Sequence, residues 1–139
     1  MEYKIVDDII IVRVDDNEDL IENLKVLFKR LDCCGVIITG LGRVKEVELA
    51  FLEYPEKVGQ YKQRLFKEAF EVVAMEGNIS LFEDFIVHIH VTLADKEYKC
   101  IGGHLLSGKV DATLELFIKK LNKIKRMYDE KTGLKIIKI

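Results

Sequence analysis

The sequence predicts an α/β (α+β) domain, and three observations carry that expectation. β-branched runs recur along the chain, in IVDDIIIV, VIIT and FIVHIHV. One segment, LIENLKVLFKRL, shows clear helical periodicity. The composition is that of a folded protein: 139 residues, 49% hydrophobic and 33% charged, with one Pro and no Trp. This is enough chain for one domain spanning 1–139 with a substantial core.

The first element, YKIVDDIIIVRV, is broken by Asp7 and Asp8 and reads as a hairpin or two short strands. The helix follows, with Leu20, Ile21, Leu24, Leu27, Phe28 and Leu31 on one face. Asp16 or Asn17 is the expected cap, Glu18 and Asp19 complement its positive end, and Gly35 is the expected stop. VIIT then reads as a buried strand, Gly40-Leu41-Gly42 as a turn, and VKEVELAFL as a strand with Val47, Leu49 and Phe51 on one face. Residues 56–76 fit either a helix, with Val58, Tyr61, Leu65 and Ala69 in a stripe, or two short strands around Lys67-Glu68. VDATLELFIKKLNKI is equally two-sided, since Leu114, Leu116 and Ile118 alternate while 114, 117, 118 and 121 fit a helix.

Several function classes are excluded or disfavoured. The longest apolar runs fall well short of the roughly 20 residues of a membrane helix. EYKIVDD lacks the basic-then-apolar order of a signal peptide, so the expected location is cytoplasmic, with no membrane partner. Three cysteines, two of them adjacent (Cys33 and Cys34), imply no disulfide framework and read as small buried apolar residues. A formal charge of −2 argues against a strong, sequence-independent grip on nucleic acid. The basic run Lys119, Lys120, Lys123, Lys125 and Arg126 reads as a solvated face.

The chemistry is concentrated in HIHVTLADKEYKCIGGH, residues 88–104, which holds all three histidines of the chain. In FIVHIHVTL, Val87, Ile89, Val91 and Leu93 form a core face, and His88 and His90 stand on the opposite one. ADKEYK supplies a turn and KCIGGHLL a returning strand. A three-residue loop, Asp95 to Glu97, pairs Ala94 with Tyr98, so His88 lies across from His104 and His90 faces Gly102. Opposed Cβ atoms are then about 5 Å apart on one face. Gly102 and Gly103 leave room there, or form a bulge. Three neutral imidazoles without a carboxylate match a zinc-like site with one position open, for zinc or another divalent transition metal. Cys100 is too far along the strand to join them, and Glu71, Glu76 and Glu115 are candidates for an acid/base group beside the ion. No Ser-His-Asp or Cys-His nucleophile set is legible.

HIHVTLADKEYKCIGGHLLSGKV resembles the signature of the plants-and-prokaryotes conserved (PPC) domain family, in which a strand with HxH leads through a polar turn into GGHL. VIITGLGRVKEVEL is similar to that family's strand, glycine turn and strand, and FEVVAMEGNIS to its strand ending in a glycine motif. The resemblance implies a largely antiparallel sheet with one main helix packed on it, assembled as a homotrimer. It implies strands for the two-sided segments, 61–66 and 69–76 as a hairpin and TLELFIKKL as a strand. It also implies a metal at His88, His90 and His104. Plant members carry an AT-hook for DNA; no RGRP-like hook occurs in these residues, so DNA or a DNA-binding partner is the alternative expectation.

Overall fold

Four long antiparallel strands carry the fold in the computed structural model, which describes all residues 1–139. In chain order the elements are β1 (Glu2–Val6), β2 (Ile9–Asp15), α1 (Leu20–Leu31), β3 (Cys34–Leu52), β4 (Tyr61–Leu81), β5 (Phe85–Ala94), β6 (Cys100–Leu121), β7 (Arg126–Asp129) and β8 (Leu134–Ile137). The sheet order is β1-β2-β6-β3-β4-β5, and β5 pairs with β6 as well, so β3 to β6 close into a ring. Strands β7 and β8 form a separate hairpin. This is the α+β, mostly antiparallel architecture with one helix that the sequence led us to expect.

The β1–β2 hairpin turns at Asp7, whose φ of 53° is one that Asp tolerates better than most residues. The helix keeps its expected face: Leu20, Leu24, Leu27 and Phe28 are buried against β5 and β6. Its ends differ from expectation. Asp19, not Asp16 or Asn17, caps it by accepting a hydrogen bond from the Glu22 amide at 2.9 Å. Asp16 is engaged elsewhere, accepting from the Ala112 amide at 3.0 Å, and Asn17 adopts φ 64° while its amide bonds to Val110. Asp32, in the left-handed region, ends the helix, and Gly35 already belongs to β3.

The glycine turn expected at 40–42 is absent, because β3 runs through it for 19 residues. Gly42 adopts φ 139°, and the register against β6 shifts there and again near Lys45, so these are bulges rather than a reversal. The ambiguous middle is strand, as the resemblance implied, but not a hairpin. β4 is continuous over 21 residues, and Lys67-Glu68 lies opposite the β3 bulge at Glu46, whose φ is 50°. TLELFIKKL is strand, as expected, within the 22 residues of β6. β6 meets a different neighbour at each end, β5 over residues 100–105 and β2 over residues 113–119, with β3 along its other edge. The core is one cluster of 26 buried residues, including Ile10, Val12, Ile89, Leu93, Leu114, Leu116 and Ile118. β5 contributes its odd face to that cluster and turns its even face away.

Candidate metal centre

Strand β5 presents His88 and His90, and β6 presents His104, on the face opposite the core. The parity expected from the sequence is therefore observed, but the register is not. Ala94 pairs with Cys100, so His90 faces His104 and Thr92 faces Gly102. The reason is Asp95. Its carboxylate accepts from the amides of Glu97 at 2.8 Å and Lys99 at 2.9 Å, and Tyr98 takes φ 63°. This draws Tyr98 and Lys99 into a five-residue loop, Asp95 to Lys99. Two extra loop residues slide the pairing by two, which preserves the faces.

His88 instead pairs with Asn78 on β4, and His90 is flanked on that side by Glu76. The β5–β6 pairing has no bulge. Gly102 serves a different need: a Cβ there would lie 2.7 Å from the Val91 carbonyl oxygen.

The three rings form a compact triangle. Centroids are 5.1 Å apart for His88–His90, 4.9 Å for His88–His104 and 5.4 Å for His90–His104. One nitrogen from each lies within 4.8 Å of the others, and the Nε2 atoms of His88 and His90 are 3.2 Å apart. Tyr61 tilts against His104 at 5.6 Å between centroids. Burial first, then the neighbouring His104, Arg126 and His90, push the His88 pKa down to about 4. Burial and His90 lower that of His104. Both imidazoles are therefore neutral at pH 7, the form that binds metal.

Cys100 is exposed at the start of β6 and outside the cluster, while Cys33 and Cys34 are buried free thiols. Of the three glutamates considered, only Glu76 adjoins a histidine; Glu71 pairs with Arg43 at 3.3 Å, and Glu115 lies opposite Arg13. Sequence reasoning missed Arg126. Its Nη2 donates to Asn78 Oδ1 at 2.9 Å and approaches His88 Nδ1 at 3.4 Å, and its Nε donates to Ser80 Oγ at 2.7 Å. These contacts span 38 to 48 residues of sequence, so no local signal pointed to them.

A closed antiparallel sheet with one packed helix and a hairpin-borne histidine triangle defines the class of protein. The sequence matches the family model of the Plants and Prokaryotes Conserved (PCC) domain over residues 1–122, and the chain belongs to that family. No curated protein matches. A candidate DNA-binding protein from Bacteroides thetaiotaomicron has the same fold (TM-score 0.91, 27% identity, 99% of this chain and 96% of that one). So does a plant- and prokaryote-conserved protein from Pyrococcus horikoshii (0.84, 26%, 99% and 95%). A metal-containing protein from Archaeoglobus fulgidus is also similar (0.83, 23%, 99% and 97%).

The histidine pKa shift makes the metal-free chain pH-sensitive in a defined direction. Above about 6.5, His88 is neutral folded and unfolded; between about 6.5 and 4 only the unfolded chain takes up its proton. Stability of chelator-treated protein is expected to fall as pH drops through that window, and His104 adds in the same sense. Thermal melts at stepped pH should show a shallower fall for His88→Asn; an unchanged slope would contradict the assignment.

Proposed function

We propose that this chain is a metal-binding domain holding one divalent ion, zinc or a similar transition metal, through His88, His90 and His104. The observation that carries the reading is the triangle of ring nitrogens, all within 4.8 Å, contributed by one register-locked hairpin. The donor set fits. A tetrahedral ion with Zn–N bonds of about 2.0–2.1 Å places its nitrogens roughly 3.3 Å apart. The His88–His90 pair at 3.2 Å meets that spacing, and modest ring rotation brings in His104. Three neutral ligands leave the ion's full double charge and one coordination position available, where it supplies Lewis acidity. The metal-containing relative from Archaeoglobus fulgidus agrees with this reading.

Purified protein is expected to carry about one equivalent of metal per chain by elemental analysis. His88→Ala and His104→Ala should each lose most of it. Zinc at a hundred times its Kd should stabilise the wild type by about 2.7 kcal/mol, readable as a Tm rise, and neither variant. Full metal retention in both variants would end this reading.

The alternative, a DNA-associated regulatory module, draws on the descriptions of the relatives from Bacteroides thetaiotaomicron and Ralstonia eutropha. The basic run offers it little: Lys119 is paired with Asp8, Lys123 with Asp32 at 3.0 Å, and Arg126 turns inward. Fluorescence anisotropy with duplex DNA at several salt concentrations should show no binding that weakens with salt. A steep salt dependence would instead favour the DNA reading.

We also read the domain, residues 1–139, as a cytoplasmic homotrimer. No helix is long and apolar enough to cross a membrane. Phe51, Leu65 and Val73 on β3 and β4 are 73%, 53% and 54% exposed, apolar surface that a partner copy would cover. Light scattering should give three times the chain mass, and Phe51→Lys or Leu65→Lys should lower it; a monomeric wild type would overturn the trimer.

A further inference from the structure

Beside the histidine triangle lies a cavity of about 610 Å³, within the range that holds small organic ligands. Tyr61, Asn78, His88 and His104 form its sheet wall, and the β7–β8 hairpin flanks it with Leu134 and Ile136. Half of the lining residues are hydrophobic and none is acidic. The hairpin lies beyond residue 122, outside the segment matched by the family model.

Arg126 sits at the root of that hairpin, half-buried, with its polar contacts all directed to neutral groups: Ser80 Oγ, Asn78 Oδ1, the Lys135 carbonyl and, at 3.4 Å, His88 Nδ1. Ser80 is fully buried. Arg126 has no Asp or Glu partner, unlike Arg13 and Arg43. The Lys135 ammonium is turned to the Phe82 ring, 4.6 Å from its centroid, leaving the guanidinium as the cationic group of the cavity. A desolvated cation without a counter-charge is costly, and a dication on three neutral imidazoles next to it adds to the excess. No Asp or Glu lines the cavity to offset that charge.

We propose that this cavity binds a small organic carboxylate, its head group between Arg126 and the open coordination position at the triangle and its apolar body against Leu134 and Ile136. One of the two cations rests on the metal reading above; the other is part of the chain. A single guanidinium and an apolar half-lining suit a carboxylate on a hydrocarbon body better than a phosphate, which calls for more donors. Arg126 is then both the hairpin's anchor and the anion's partner, so the segment outside the family match selects the ligand.

The test is calorimetric titration of hexanoate, with hexanamide as the neutral control, into the full chain, both cobalt(II)-loaded and metal-free. Asn78→Asp is the informative variant. It keeps the shape and the 2.9 Å contact while giving Arg126 the counter-charge it lacks. Hexanoate should bind the loaded chain, with hexanamide and the Asn78→Asp variant each weaker by roughly tenfold or more. The variant should melt no lower than the wild type, since Arg126 gains a counter-charge, and should hold as much cobalt. Hexanamide binding as tightly as hexanoate, an unchanged affinity in Asn78→Asp, or no binding to any form overturns the proposal. Cobalt content, read on the same samples, keeps the two readings apart. A chain that retains no cobalt counts against the metal site alone, and hexanoate binding there that Asn78→Asp weakens still supports the carboxylate pocket.

Discussion

The site depends on one carboxylate that never touches it. Asp95 fixes a five-residue loop by accepting from two backbone amides, and that loop sets the register between β5 and β6. A side-chain period of two makes such a register unforgiving: a slip of one residue would send His104 into the core and Leu105 out of it. Leu105 and Ile89, paired and buried on the other face, hold the same register from the core side. Burial of one face and the hydrogen bonding of one loop therefore agree on where the imidazoles stand.

Around them the electrostatics run one way. His88 and His104 are neutral at pH 7 because burial and the neighbouring imidazoles disfavour their charged forms. The nearest carboxylate along the sheet, that of Glu76, lies on the exposed side of His90. On the sheltered side is Arg126, hydrogen-bonded to neutral groups only. A dication and an anionic ligand are complementary to this arrangement in turn, the first drawn by unprotonated nitrogens and the second by the positive charge that results.

Much of this was legible in the amino-acid order, and the failures have physical causes. Alternation in FIVHIHVTL identified the core face and the histidine face, because period-two patterning survives folding unchanged. The helix was clear from its apolar stripe, yet its caps were not, since Asp16 and Asn17 are recruited by β6, over ninety residues away. Gly40 to Gly42 signalled a turn but mark a bulge, for positive φ is common to both. Residues 61–76 fitted two periods until their partner strand was known, and the continuity of β4 depends on a bulge in β3. The histidine register was wrong by two because loop length is decided by Asp95's hydrogen bonds rather than by residue type. Arg126 was hidden among lysines, its role visible only once β7 folds back onto β4.

The central claim is that three imidazoles on one hairpin share a single ion. Anomalous diffraction from crystals of zinc-loaded protein, measured above and below the zinc edge, tests it most directly. The account predicts one strong peak per chain at about 2.0–2.1 Å from a ring nitrogen of each of His88, His90 and His104. A strong peak elsewhere, or none between those rings in zinc-saturated crystals, would contradict it.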